Sequence, residues 1–143
     1  MDARFIISAA RPEQFPDYAR GIPEIAFLGR SNVGKSSLLN ALVKAKDLAF
    51  VSSRPGCTQQ INFYRIGGEF VFADLPGYGF AKVPPNIQAA WKKLIDFYLL
   101  KREPLRLCII LLDARRGWME KDLELKQWLE FHGRPYLTVA TKA

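Results

Sequence analysis

The sequence predicts an α/β fold, a doubly wound and mostly parallel sheet with one antiparallel edge strand. Three observations carry that expectation. Short apolar runs alternate with stretches of helical spacing along most of the chain. A glycine-rich segment, Gly29 to Ser36, stands between the first core run and the first helical stretch. Two apolar runs are joined by Gly67-Gly68, a hairpin signal in an otherwise parallel pattern.

The elements follow in chain order. Residues 1–20 are mixed and hold Pro12 and Pro16, which predicts an irregular or edge segment. Ile25 to Leu28 reads as a buried strand ending at Gly29. From Ser36, Leu38, Leu39, Ala41, Leu42 and Val43 fall at helical spacing. Residues 47–60, with Ser52, Ser53, Pro55 and Gly56, read as a long loop. Ile61–Ile66 and Glu69–Ala73 form the hairpin around Gly67-Gly68, and Asp74-Leu75-Pro76-Gly77-Tyr78-Gly79 breaks structure again. Asn86 is placed as the N-cap of a helix over 87–98, with Ile87, Ala90, Trp91, Leu94, Ile95 and Tyr98 on its apolar side. Leu105–Leu112 is a further buried strand. Glu120–Phe131 is a helix stopped by Gly133 and Pro135, and 135–140 is a last strand.

Composition bounds the function. A chain of 143 residues is one domain, and 49% hydrophobic residues argue against disorder. The longest apolar run is Leu107–Leu112, far short of the roughly 20 residues of a membrane span. The start, Met1 to Phe5, has no basic region followed by an apolar core, so a cytosolic chain without a signal peptide is expected. Cys57 and Cys108 suggest no disulfide framework, and with His132 the only histidine, zinc and histidine-based nucleophilic chemistry find no support. A net charge of +7 suits a nucleic-acid or ribonucleoprotein partner, although simple solubility accounts for it equally.

Chemistry concentrates in four segments. Gly29-Arg30-Ser31-Asn32-Val33-Gly34-Lys35-Ser36 fits G-x-x-x-x-G-K-[ST], with a strand before it and a helix after it. Glycines let the backbone wrap phosphates, whose oxygens take N–H groups and the positive end of the helix. Lys35 supplies a mobile charge to the β- and γ-phosphates, Ser36 a hard oxygen ligand for Mg2+, and Ser37 reaches the α-phosphate. Asp74-Leu75-Pro76-Gly77 follows a strand: the aspartate holds Mg2+ through water, and the Gly77 N–H senses a γ-phosphate. Thr58, in the loop between the first helix and the hairpin, completes the Mg2+ shell. Lys35, Thr58 and Gly77 are thus the candidate catalytic residues, and Ser36, Thr58 and Asp74 the candidate metal ligands. Thr141-Lys142 ends the last strand, read either as the start of a guanine-recognition motif or as a solvated strand end.

Other signals divide between core and surface. Trp91, Phe97 and Tyr98 beside Lys92 and Lys93 suit RNA contact, but core aromatics among solvated lysines are the plainer reading. Asp113-Ala114-Arg115-Arg116-Gly117 ends a strand on the nucleotide side, where helper side chains would sit. Tyr78 stands where switch GTPases often carry a water-orienting glutamine, so intrinsic hydrolysis is expected to be slow.

These segments together resemble the EngB-type GTP-binding proteins, a family of ribosome-assembly GTPases. The resemblance rests on Phe27 to Asn40, Pro55 to Phe63 and Asp74-Leu75-Pro76-Gly77-Tyr78-Gly79-Phe80-Ala81, with Asp113 to Gly117 and Thr141-Lys142 also fitting. It implies a P-loop NTPase of the Ras-like G-domain type that cycles between GTP and GDP with Mg2+. Residues 29–36 hold the phosphates. Gly56, Cys57, Thr58, Gln59 and Gln60 form a first switch, and Asp74, Leu75, Pro76 and Gly77 begin a second. Thr141 and Lys142 open guanine recognition. Asn32 matches the P-loop asparagine of potassium-stimulated relatives, which implies K+ near the β- and γ-phosphates. The implied partner is the large ribosomal subunit and its RNA, with a link to cell division and septation; a monomer without membrane or DNA partners is expected. By the same resemblance, residues 1–22 are an N-terminal extension and 23–143 a nucleotide-binding core. The family pattern continues past residue 143 with an aspartate that reads guanine, so the core is expected to be incomplete at its C-terminus and its GTPase activity impaired. Two readings stand beside this one: a small-molecule kinase, which would need an arginine-bearing lid, and a non-catalytic RNA-binding module with a weakened nucleotide site.

Overall fold

A computed structural model describes residues 3–17, 21–30, 33–43, 60–78 and 85–141, apart from the side chains of Ser36 and Val43. Among the described residues there are six strands: β1 Ala3–Ala9, β2 Glu24–Gly29, β3 Ile61–Ile66, β4 Phe70–Asp74, β5 Leu105–Asp113 and β6 Tyr136–Thr141. Three helices accompany them there: α1 Lys35–Val43, α2 Pro85–Lys101 and α3 Glu120–Phe131, with a 3-10 turn at Pro12–Gln14. The sheet order is β1-β3-β4-β2-β5-β6. β4, β2, β5 and β6 pair in parallel, whereas β3 is antiparallel to both β4 and β1. The expected mostly parallel α/β sheet is therefore present, and the N-terminal segment supplies its antiparallel edge.

Strand alternation sorts the apolar residues onto two faces. Ala26 and Leu28 of β2 join Phe63, Ala73, Cys108 and Ile110 in one cluster, covered by Leu94, Tyr98 and Leu99 of α2 and Leu129 of α3. Phe27, pointing the other way, joins Tyr64, Ile66, Phe72 and Leu111 beneath Leu39 of α1. Helices thus lie on both faces, which defines a doubly wound sheet.

Two local expectations are corrected. α2 begins at Pro85, so Asn86 lies inside the first turn rather than at the cap; proline suits a first helical position because its missing N–H would have no intrahelical acceptor there. The hairpin pairs Ile66 with Phe70, so its turn holds Gly67, Gly68 and Glu69 rather than two glycines, with Gly67 at φ 57°. Of the two readings of the N-terminal segment, irregular or edge, the edge one holds: it forms the regular edge strand β1, whose Ser8 hydroxyl donates to Asn62 Oδ1 at 2.5 Å. The long loop over 47–60 lies, except for Gln60, outside the described residues.

Candidate functional site

Parallel pairing brings the chemistry together. The carboxyl ends of β2, β4, β5 and β6 are Gly29, Asp74, Asp113 and Thr141, and the register aligns them at one edge of the sheet: Phe27 with Asp74, Gly29 with Leu111, and Asp113 with Thr141. β3 runs the other way, so its start lies there too, with Asn62 opposite Asp74 and Gln60 just before it. Four segments distant in sequence converge where such sheets bind ligands.

The turn after β2 is shaped by its glycines. A Cβ on Gly29 would lie 2.8 Å from Val33 Cγ1 and 3.3 Å from the Leu111 carbonyl oxygen, so no side chain fits. Gly34 has φ 94°, a conformation that side-chain-bearing residues rarely adopt. Val33 N–H donates to Arg30 O at 3.2 Å, and Leu38 N–H to Gly34 O at 3.1 Å, the latter opening α1. Lys35 is the first residue of that helix. Its ammonium lies 2.7 Å from Asp74 Oδ1, with side-chain exposures of only 13% and 5% for the two residues, and it donates to the Leu75 carbonyl. Burial pushes the Asp74 carboxyl above its ordinary value of 3.8, and Lys35 opposes that shift. Beyond the ion pair, Asp74 Oδ1 has no hydrogen-bond partner among the described residues.

The neighbouring segments are tied to this turn. Leu75 N–H donates to Phe27 O at 3.2 Å and Tyr78 N–H to Gly29 O at 3.1 Å, which lays residues 75–78 alongside the glycine-rich turn. Thr141 Oγ1 donates to Val33 O at 2.5 Å and lies 3.2 Å from Leu112 O, and Ala114 N–H donates to Thr141 O at 2.7 Å. Arg115 is drawn onto Asp113, with Nε and Nη2 at 3.1 and 3.0 Å from its two oxygens. Arg30, Arg115, Arg116, Asp113 and Asp122 border a cavity of about 160 Å3 beside the turn.

Of the residues singled out from sequence, Gly29, Arg30, Val33, Gly34, Lys35, Asp74, Leu75, Pro76, Gly77 and Thr141 are gathered at this edge, with Gln60 and Ser37 at its margin. Ser31, Asn32, Gly56, Cys57, Thr58, Gln59, Lys142 and the Ser36 side chain lie outside what is described. The only described cysteine, Cys108, is buried in the core with its thiol pushed up to about 12, which leaves no thiolate at neutral pH. His132 caps the end of α3 and packs on Trp128, with ring centroids 4.1 Å apart.

Two arrangements had no clear sequence signal. Tyr78 Oη donates to Asp122 Oδ1 at 2.5 Å, so the residue in the glutamine position is turned toward α3. Glu24, fully buried, accepts from Tyr98 Oη and from Arg102 through Nε and Nη2 at 3.0 Å each. Only a charged residue opening an apolar strand could have hinted at the second.

Known proteins share this arrangement. A family model described as 50S ribosome-binding GTPase matches residues 24–142. The probable GTP-binding protein EngB of Solibacter usitatus is 58% identical over 142 residues, covering 99% of this chain and 73% of that protein. Its namesake in Bacillus subtilis is 45% identical over 141 residues, covering 99% and 71%. Among solved structures, a probable GTP-binding protein EngB superposes with a TM-score of 0.63 at 27% identity, over 80% of this chain and 68% of that one. Era in complex with MgGDPNP and a segment of 16S ribosomal RNA superposes with a TM-score of 0.60 at 26% identity, over 85% and 40%.

Proposed function

The chain belongs to the EngB family of GTP-binding proteins, within the 50S ribosome-binding GTPases, and from that premise we propose that it is a nucleotide switch acting in large ribosomal subunit assembly. It is a GTPase. The observation that carries the reading is the meeting of Lys35 and Asp74 at 2.7 Å, at the carboxyl edge of the parallel sheet. A lysine opening α1 meets phosphates together with the N–H groups of the first turn. A buried carboxylate whose Oδ1 meets the Lys35 ammonium suits a hard divalent cation once the lysine turns to phosphate. Asp74, with Ser36 and Thr58 supplying hydroxyls, would hold Mg2+, which offsets phosphate charge when bound.

In this reading Lys35 exchanges its carboxylate partner for the β- and γ-phosphate oxygens, and its charge stabilises the in-line transfer to water. The Gly77 N–H reads the γ-phosphate. Thr141 and Lys142 border the base, with the Thr141 hydroxyl already fixed on the P-loop backbone. Asn32 would support a potassium ion near the phosphates, tested by comparing turnover in sodium and potassium. The net charge of +7 suits contact with ribosomal RNA. Among the described residues no helix is long and apolar enough to cross a membrane. The role in this reading is cytoplasmic and linked to division and septation.

Titration with fluorescent GDP and ATP analogues, beside Lys35→Ala, tests the site. A GDP preference lost in the variant supports it, and equal or absent binding overturns it. Stimulation of GTP turnover by isolated large subunits tests the assembly role, and indifference to them sinks it.

A further inference from the structure

Tyr78, the residue after Gly77, is held at both ends. Its N–H is bonded to the Gly29 carbonyl at 3.1 Å, and its hydroxyl to Asp122 Oδ1 at 2.5 Å. Asp122 is 1% exposed and sits in the first turn of α3. Its second oxygen accepts the Met119 N–H at 2.9 Å, one of the N-terminal donors that a helix cannot satisfy internally. One buried carboxylate therefore serves two clients, the loop beside the P-loop and the start of α3. Burial and this bond both push the Tyr78 hydroxyl upward, so it stays a donor across the working pH range.

Pro76, Gly77 and Tyr78 also line the upper end of a groove of about 730 Å3 between α2 and α3, with Trp91, Leu125 and Trp128 along its walls. Gly77 is thus confined. Any displacement of it must break the Tyr78 bond to Gly29, break the bond to Asp122, or carry the start of α3 along.

We propose that Asp122 is a positioning residue: through the Tyr78 hydroxyl it presets the Gly77 backbone for a γ-phosphate and couples that phosphate to α3. The inference rests on the reading of Gly77 as the γ-phosphate sensor. It separates two states of one element, one with Tyr78 bonded to Asp122 and Gly77 in place for a γ-phosphate, the other with that bond released; a γ-phosphate favours the first. Because GDP lacks the γ-phosphate, the latch acts on GTP and leaves GDP alone. By linkage, a ligand that orders α3 would tighten GTP by the same factor that GTP tightens that ligand.

Tyr78→Phe removes only the hydroxyl and keeps the ring. Affinities for GDP and for a non-hydrolysable GTP analogue are measured in wild type, Tyr78→Phe, Asp122→Asn and the double variant, with thermal melting alongside. The expected result for Tyr78→Phe is a loss of roughly tenfold for the GTP analogue, with GDP within about twofold, since tenfold corresponds to one charge-assisted hydrogen bond of about 1.4 kcal/mol. Asp122→Asn retains an acceptor for the start of α3, and in the Tyr78→Phe background it adds no further loss of GTP selectivity. Parallel losses for both nucleotides would reduce the pair to a structural tie and overturn the proposal, as would unchanged GTP affinity or additive losses in the double variant. Failure of the wild type to bind either nucleotide would instead bring down the functional reading itself, and the latch with it.

Discussion

The ammonium of Lys35 and the carboxylate of Asp74 lie 2.7 Å apart across the gap between α1 and the end of β4, almost shielded from water. In the proposed reading each is the group that the other's ligand would displace: a phosphate would claim the lysine, a divalent cation the aspartate. The pair keeps two buried charges compensated and holds both at the sheet edge. Exchange of partners, rather than creation of new charge, is then the electrostatic event of nucleotide entry.

Asp74 makes stability depend on pH in an identifiable way. Burial holds its folded carboxyl above 3.8, so the folded chain takes up this proton before the unfolded chain does. Stability from this group is fully present below 3.8 and is lost as pH rises through the raised value. Asp74→Asn removes the dependence. The stability of the natural protein minus that of the variant is expected to fall as pH rises from about 4 toward neutrality, read from denaturant midpoints. A difference that rises with pH would show that Lys35, not burial, dominates the carboxyl.

Gly29 is fixed by space alone. Its absent Cβ would meet Val33 Cγ1 at 2.8 Å and the Leu111 carbonyl at 3.3 Å, and neither a branched core side chain nor a strand backbone yields easily. Gly29→Ala is expected to cost about 1–3 kcal/mol of stability, the usual range for overpacking. It should also weaken GDP and GTP alike, because the displaced turn carries Lys35 with it. Calorimetric titration together with thermal melting checks both, and an unchanged melting temperature would mean the turn relaxes freely.

Much of this site is legible in sequence, for a physical reason. Phosphate binding needs glycine where backbone must approach closely, and it needs lysine, hydroxyl and aspartate at fixed distances from strand ends. Spacing along the chain therefore encodes it. Gly29, Lys35, Asp74 and Thr141 meet as that logic requires because parallel pairing aligns their strand ends. Tertiary ties are encoded differently. Asp122, in the first turn of an amphipathic helix, looks like a solvated charge until Tyr78 reaches it from a loop 44 residues away in sequence. Arg102 reads as a surface cation, yet its guanidinium lies over the rings of Phe15 and Phe63 and bonds Pro16 O at 2.7 Å. β1 is legible only as an irregular or edge segment, because an edge strand half open to water needs no apolar alternation.

Glu24 and Arg102 offer a control at the far end of β2, opposite the phosphate edge. Glu24 is fully buried, and Arg102 meets both of its oxygens. Arg102→Met removes the guanidinium that meets both oxygens of that carboxylate, and is expected to cost about 3–5 kcal/mol. Adding Glu24→Gln should recover a large part, because the buried charge is gone. GDP affinity should stay near that of the natural protein for every variant at temperatures where it is folded. A double variant no more stable than the single one would place the cost in lost packing of the arginine stem rather than in charge.

Thr141 joins the last strand to the P-loop through one hydroxyl. Its Oγ1 donates to Val33 O at 2.5 Å, with Leu112 O also within reach at 3.2 Å, and Val33 precedes the Gly34-Lys35 step that opens α1. Thr141→Val keeps the shape and β-branching and deletes the donor. A net loss of about 1 kcal/mol follows from one neutral hydrogen bond, with more if the Val33 carbonyl finds no water. The consequence for function is sharper than for stability. Val33 is 4% exposed and packs against Leu111, so the core holds its side chain while the Thr141 hydroxyl holds its carbonyl. Loosening it should raise the dissociation rate of GDP and GTP together, several-fold, with little change in association. Stopped-flow displacement of a fluorescent nucleotide measures this directly. If dissociation is unchanged while stability falls, the hydroxyl serves the strand end only and the P-loop is held by its own glycines.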